Sequence, residues 1–144
     1  VGLLEVNVLV ALFDPEHIHH EPAHAWLAAN RSDGWATCPL TENGLVRILS
    51  NAAYRPEPEP AARIVERLGT FRSSGQHYFW PDDISFCDEV RFASGFPVRS
   101  RQLTDVYLLA MVVSRQGNLV TFDRAIPAAA VAGAANRHLT ILAS

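Results

Sequence analysis

Short apolar runs alternate with helix-like segments along the whole chain, and this alternation limits the fold more than any other feature. The runs predict strands at residues 2–6, "WATCPL" (35–40), "HYFW" (77–80), "NLVTF" (118–122) and "HLTIL" (138–142). Strands separated by helices form βαβ units, which place the strands in parallel in a sheet that helices cover on both faces. We therefore predict an α/β fold with a parallel central sheet.

The segments between these runs have the spacing and the end signals of helices. Asn7 is predicted to cap a short helix through "VLVALF", and Thr41 precedes a helical pattern that ends at about Ser50. Pro60 enters the helix "AARIVERLGTF", and the strongest pattern, "QLTDVYLLAMVVSRQG", closes at Gly117. Further helices are predicted for "HHEPAHAWLAAN", for a short Ala-rich segment after residue 122, and for "DDISFCDEVRFAS", where Asp82 and Asp83 are interpreted as capping acids.

Composition and charge limit the class of protein. The chain has 144 residues, of which 49% are hydrophobic and 19% charged, so we predict one folded domain over residues 1–144. No apolar run approaches the roughly 18 residues that span a bilayer, and no secretory leader opens the chain, so we expect a cytoplasmic protein without a membrane partner. The net charge of −3 excludes binding of nucleic acid through overall basic charge. A polyanionic substrate therefore requires a local arginine patch or bound cations.

Four acids occupy matching positions at the ends of the predicted elements. Glu42 and Asp105 each lie in the first turn of a helix, on its apolar side, whereas Glu5 and Asp123 lie near the ends of strands. In an open α/β sheet, the carboxyl ends of strands and the amino ends of helices meet along one edge, where ligands bind. We therefore expect these four carboxylates to converge.

Each acid has a structural explanation when it is considered by itself. Acids in the first turn stabilise the helix through its macrodipole, and an acid after a strand is common in turns. Together, however, carboxylates in one crevice raise one another's pKa values unless a divalent cation compensates them. Oxygen ligands suit Mg²⁺ or Mn²⁺ better than zinc, and such cations suit phosphoryl chemistry.

Four segments, in their order and spacing, resemble the PIN-domain ribonucleases, and most closely the VapC-type toxins of toxin–antitoxin pairs: "LLEVNVLVAL", "CPLTENGLVRILSN", "QLTDVYLLAM" and "LVTFDRAI". The resemblance covers essentially the whole chain and implies a PIN-like three-layer α/β/α sandwich. It implies Mg²⁺- or Mn²⁺-dependent endonucleolytic cleavage of RNA by metal-activated water. It also implies a homodimer and a cognate VapB-like antitoxin whose C-terminal segment blocks the acidic crevice.

The resemblance assigns roles to particular residues. The catalytic acids are Glu5, Glu42, Asp105 and Asp123, of which Glu5, Asp105 and Asp123 are the metal ligands, and Asn7 and Thr121 match supporting polar positions. The arginines close in sequence to three of these acids, Arg47, Arg101 and Arg124, are candidates for binding RNA phosphates. A solvated surface charge is the alternative for each of them.

One departure from the family pattern concerns Glu5, because members of the family typically have Asp there, as in "LLDVN". Mg²⁺ demands near-ideal octahedral geometry, and a displacement of about 1 Å near the chemistry can cost about 10²-fold in rate. An alternative is therefore a PIN-fold protein that binds antitoxin or RNA without efficient turnover. A different acid-cluster α/β enzyme, such as a phosphatase, is a third hypothesis, against which the lack of a DxD motif on the first strand argues.

The remaining distinctive residues are interpreted as structural. Cys38 is predicted to be a buried thiol, and the tryptophans are assigned to the core or to a dimer interface: Trp26, Trp35 and Trp80. The histidine cluster includes an i, i+4 pair that can chelate zinc or copper, but no Cys or HExxH-type partner accompanies it. Its members are interpreted as surface histidines, with contact to RNA or antitoxin as the alternative: His17, His19, His20 and His24.

Overall fold

A five-stranded sheet forms the centre of the computed structural model, which describes residues 1–93 and 95–143. The strands are β1 (Gly2–Leu4), β2 (Trp35–Thr37), β3 (His77–Phe79), β4 (Asn118–Thr121) and β5 (Leu139–Ile141), in the spatial order β3-β2-β1-β4-β5. Every neighbouring pair is parallel. The predicted α/β fold with a parallel sheet is therefore confirmed, and β1 lies in the middle of the sheet.

Helices cover both faces of this sheet and give the three-layer sandwich. The helices are α1 (Val6–Phe13), α2 (His20–Asn30), α3 (Pro39–Leu49), α4 (Ala61–Arg72) and α5 (Leu103–Ser114). Because successive side chains of a strand point to opposite faces, Leu4 belongs to the core beneath α1–α4, whereas Leu3 belongs to the core beneath α5. The two cores hold nearly every large buried apolar side chain of the described residues.

Two helices begin at residues that differ from the predicted ones. The first strand ends at Leu4, and Glu5 rather than Asn7 is the N-cap of α1, because the Glu5 carboxylate accepts a hydrogen bond from the backbone N–H of Asn7. Helix α3 begins at Pro39, before Thr41, because the fixed φ of proline suits the first helical position. In both cases the helix starts directly behind the carboxyl end of a strand.

The predicted helix over "DDISFCDEVRFAS" is wrong, because the described residues of this segment form turns and irregular backbone, with one isolated bridge at Phe92. Asp82 instead accepts a hydrogen bond from the backbone N–H of Leu40 at 3.1 Å, and so binds the first turn of α3. Asp83 contacts the Arg115 guanidinium at 3.3 Å. The predicted Ala-rich helix is a single 3₁₀ turn over Ala128–Ala130.

The end of α5 differs in detail from the predicted glycine stop. The backbone of Gln116 has a φ of 58°, so this residue, and not Gly117, adopts the left-handed conformation that ends the helix. The N–H of Gly117 then donates to the carbonyl of Val112 at 2.9 Å. The chain consequently turns directly into β4.

The buried thiol and the core tryptophans are confirmed. Cys38 and Trp35 are fully buried, and burial raises the pKa of the Cys38 thiol to about 11. Trp26 and Trp80 pack against the two cores. A Cβ added to Gly2 would lie 2.8 Å from the Trp26 ring and 2.7 Å from Val120, so only glycine fits there without displacing a neighbour. Among the described residues, none of the helices has the length and apolar character needed to cross a bilayer.

Candidate active site

Glu5 and Asp105 form an acidic pair at the carboxyl end of the central strand. Glu5 follows β1 directly and is only 8% exposed, and Asp105 lies in the first turn of α5. Burial, and then the negative charge of Asp105, raises the pKa of Glu5 to about 8. A buried carboxyl group beside a second, partly buried one is an electrostatic cost that a proton or a cation relieves.

Asp123 joins this pair from the neighbouring strand β4. Burial, and then the charge of Asp123, raises the pKa of Asp105, while a hydrogen bond with Glu5 partly lowers it. Asp123 lies just past the end of β4, and its carboxylate accepts a hydrogen bond from the backbone N–H of Ala125 at 2.8 Å. The structure therefore brings Asp105 within electrostatic reach of both Glu5 and Asp123.

Asn7 and Thr121 adjoin these acids, as their sequence positions suggest. The buried Thr121 hydroxyl accepts a hydrogen bond from the backbone N–H of Asp123 at 3.0 Å and so fixes the turn that presents this acid. The N–H of Asn7 binds Glu5, but its side-chain Oδ1 is buried and has no hydrogen-bond partner among the described residues. An orphaned buried oxygen is costly, and this one belongs to the residue whose backbone N–H binds Glu5.

Glu42 has contacts of a different kind. Its Oε2 accepts a hydrogen bond from the Thr37 hydroxyl at 2.6 Å, and the Arg72 guanidinium lies 3.3 Å from its carboxylate. Among the described residues, no hydrogen bond or ion pair joins Glu42 to the other three acids. Asp105 thus lies near Glu5 and Asp123, whereas Glu42 is held by Thr37 and Arg72, and the catalytic roles of all four acids stay predictions.

The candidate phosphate-binding arginines lie at different distances from the acids. Arg124 is exposed and follows Asp123 directly, and Arg101 is exposed in the 3₁₀ turn just before α5. Arg47 lies in the last turn of α3, roughly 7 Å along the helix axis from Glu42. Arg72 of α4 also contacts Glu42, although it lies thirty residues further along the chain. No local sequence pattern identifies such a pair.

Members of the histidine cluster make specific contacts with the rest of the protein, which solvated surface groups do not. The Nδ1 atom of His20 is 2.7 Å from the carbonyl oxygen of Ala11, and its ring lies 4.4 Å from that of His24. His19 stacks on Phe122 at 4.6 Å between ring centroids. His20 thus joins α2 to α1, and His19, just before α2, packs on the residue that follows β4, which are structural roles, although His24 itself is exposed.

The donor set of the three acids fits a hard divalent cation. All the available donors are oxygens, burial and mutual repulsion raise the pKa values of Glu5 and Asp105, and the Oδ1 of Asn7 is without a partner among the described residues. Within residues 1–93 and 95–143, no three His, Cys, Asp or Glu side chains are already arranged to hold a metal ion. The residues therefore supply suitable ligands, which a cation would have to draw together.

Comparisons with known proteins identify the family. The model of the PIN domain family matches residues 3–132. Ribonuclease VapC44 of Mycobacterium tuberculosis is 40% identical over 141 residues, which cover 98% of this chain and 99% of the relative. Ribonuclease VapC39 of the same organism is 40% identical over 132 residues, which cover 92% and 95%.

A solved structure has the same fold at low sequence identity. The crystal structure of Mycobacterium tuberculosis VapC20, titled a sarcin-ricin loop cleaving toxin, matches with a TM-score of 0.61 and 14% identity. The match covers 93% of this chain and 98% of that one. At this identity the likeness concerns the fold.

Proposed function

The chain belongs to the PIN-domain family, in its VapC-type branch, and from this we propose that it is a Mg²⁺- or Mn²⁺-dependent endoribonuclease, the toxin of a toxin–antitoxin pair. The observation that supports the proposal most directly is the cluster of Glu5, Asp105 and Asp123 at the carboxyl edge of the sheet. Ligands of open α/β sheets bind at this edge. We propose one PIN-like domain over residues 1–144, acting in the cytoplasm.

The proposed mechanism assigns a task to each residue of the site. Glu5, Asp105 and Asp123 would hold a divalent cation, which would supply positive charge for polarising a phosphodiester and ionising water. Thr121 holds the backbone of Asp123 in place, and the Oδ1 of Asn7, which has no partner among the described residues, would serve as a further oxygen donor. Negative charge that develops on the phosphate in the transition state needs donors close by.

Two exposed arginines are suited to stabilising the negative charge that develops on the phosphate. Arg101 precedes Asp105 by one helical turn, and Arg124 follows Asp123 directly, so both flank acids of the cluster. An arginine guanidinium binds two phosphate oxygens at once. We propose that these two side chains contact the RNA backbone, and that Arg47, at the far end of α3, contributes less.

The family also suggests two protein partners. We propose that the chain forms a homodimer and that a VapB-like antitoxin binds it and covers the acidic edge. Co-expression with the neighbouring small gene, followed by light scattering of the purified complex, tests both points. A monomer in isolation that forms no complex with any such gene product would contradict this part of the proposal.

A second function remains a candidate because of Glu5. Its carboxylate is one methylene longer than that of Asp, and it caps α1 as well as facing Asp105. The alternative is a catalytically weakened PIN-fold protein that binds antitoxin or RNA without efficient turnover. The activity of the Glu5→Asp variant, discussed below, distinguishes the two functions.

The deciding experiment is cleavage of a mixed pool of transfer, ribosomal and messenger RNA, with the new ends mapped. We expect discrete cuts with Mn²⁺ or Mg²⁺, and no cuts with excess EDTA or with Asp105→Ala. Glu66→Gln, which removes an exposed acid on α4, is the matched control and should cut normally. Cleavage that persists in EDTA, or hydrolysis of small phosphomonoesters without cleavage of RNA, would refute the proposal.

A further inference from the structure

Phe79 and Arg72 form an exposed aromatic–cation pair at one end of the sheet. Phe79 is the last residue of the edge strand β3 and is 44% exposed. The Arg72 guanidinium lies 4.7 Å from the centroid of its ring. The Arg72 side chain is itself 39% exposed, so both groups of the pair are accessible to a ligand.

A chain of hydrogen bonds holds the arginine in place. Arg72 contacts the Glu42 carboxylate at 3.3 Å, and Glu42 accepts the Thr37 hydroxyl hydrogen at 2.6 Å. Because Thr37 donates to Glu42, the Nε2 of His77, 2.7 Å away, is the donor to Thr37. The guanidinium is thus fixed beside Phe79 before any ligand arrives, which reduces the entropy lost on binding.

The position of the pair relates it to the acidic cluster. Phe79 pairs with Thr37 at the ends of β3 and β2, and Glu5 follows β1, the next strand of the sheet. Adjacent strands are about 4.8 Å apart, so two strand spacings, about 10 Å, separate Phe79 from the strand that presents Glu5. A few nucleotides of single-stranded RNA span this distance along the same edge.

On the basis of the proposed ribonuclease function, we propose that Phe79 and Arg72 bind one nucleotide of a single-stranded RNA substrate beside the scissile phosphate. The base stacks on Phe79, and the guanidinium of Arg72 contacts the adjoining phosphate. Stacking needs an unpaired base with a free face, so the site selects single-stranded RNA. It selects little among the four bases, because each presents a similar face to the ring.

Binding is measured by fluorescence anisotropy of a labelled single-stranded RNA in Mg²⁺, with every variant made in an Asp105→Asn background that prevents cutting. We expect Phe79→Leu to weaken binding by about tenfold or more, the usual effect of losing one stacked base. Tyr78→Leu is the matched control, since Tyr78 is 45% exposed on the same strand but points to the opposite face. Its affinity should stay within about twofold of the parent.

Arg72 is tested against an arginine of the same helix. Arg72→Gln should weaken binding and lower the slope of log affinity against log salt by about 1, as for the loss of one phosphate contact. Arg63→Gln removes the same charge from α4 at a side chain that is 74% exposed and paired with Glu59. It should leave both the affinity and the salt slope unchanged.

Several outcomes overturn the inference. Unchanged affinity in Phe79→Leu, an equal loss in Tyr78→Leu, or equal affinity for a duplex of the same sequence would each contradict it. If Phe79→Leu fails to fold, Phe79→Trp replaces it, and its larger ring should tighten binding; weaker binding would contradict the stacking. A parent protein that neither binds nor cuts RNA refutes the proposed function itself, whereas normal RNA cleavage with an unaffected Phe79→Leu refutes only this site.

Discussion

The backbone N–H of Asn7 donates a hydrogen bond of 3.1 Å to the Glu5 carboxylate, so the same side chain caps α1 and faces Asp105. One oxygen of Glu5 is committed to the helix, and the orientation of the other is therefore limited. Glu5 therefore couples the start of α1 to the acidic site. A change at position 5 affects both, and the two effects can be measured separately.

We expect Glu5→Asp to raise the rate of RNA cleavage. Aspartate is among the best N-cap residues, so α1 keeps its cap, while the carboxylate moves to the position typical of the family. A shift of about 1 Å near the chemistry changes rates by up to about 10²-fold. The measurement is kcat on a mapped RNA substrate, with Asp105→Ala as the blank. Equal rates for the parent protein and the Glu5→Asp variant would show that the methylene does not limit turnover.

Divalent cations should stabilise the folded protein, independently of any cleavage. A ligand at about 100 times its dissociation constant adds about 2.7 kcal/mol, or roughly 5–10 °C in Tm for a chain of this size. The increase with Mn²⁺ should vanish in Asp105→Asn and on addition of EDTA. Glu66→Gln should show the full increase, because Glu66 lies on the exposed face of α4. The same increase in Asp105→Asn would place the cation elsewhere.

Two helical glycines should respond to alanine in opposite directions. A Cβ on Gly44 of α3 would lie 2.8 Å from a methyl group of Val6, so Gly44→Ala should destabilise the fold by about 1–3 kcal/mol. A Cβ on Gly69 of α4 meets nothing within 4 Å, so Gly69→Ala should stabilise by up to about 1 kcal/mol through helix propensity. Urea unfolding measures both. A neutral Gly44→Ala would mean that α1 and α3 separate easily.

His77 should make the stability depend on pH. Burial, and then the charge of Arg72, lowers the pKa of His77 to about 4 in the folded protein, against about 6.5 when unfolded. The unfolded chain therefore takes up a proton first, and stability is lost as the pH falls from about 6.5 toward 4. Allowing for partial exposure, the loss is about 1 kcal/mol. The free energy of unfolding of His77→Gln, measured with urea, should lack this loss at low pH. A pH profile identical to that of the parent protein would show that His77 is not its cause.

The sequence predicts the sheet and α5 well because their signals are local. The apolar residues that define each of these elements lie close together in the sequence. This holds for the buried runs of β1 and β4 and for the helical periodicity of α5. The acids Asp105 and Asp123 were likewise predictable, since their positions follow from the ends of these elements.

The failures come from contacts between distant residues. "DDISFCDEVRFAS" has a helical pattern, but Asp82 binds the N–H of Leu40 and the carbonyl of Ile84 accepts the Tyr107 hydroxyl hydrogen. Local side chains compete as well, since Asp88 accepts from the N–H of Val90. The contact of Arg72 could not be predicted for the same reason, because its partner Glu42 lies on another helix.

The glycine at the start of β1 has a consequence at the opposite end of that strand. Gly2 is enclosed by Trp26 and Val120, at 2.8 Å and 2.7 Å from where a Cβ would stand. Neither of the neighbouring residues, Val1 or Leu3, fits that space, so β1 cannot slide by one residue against β4. With only three residues in the strand, the register fixed at Gly2 sets how far Glu5 projects beyond the sheet. Gly2, at one end of β1, thus determines how far Glu5 projects beyond the other end of the strand.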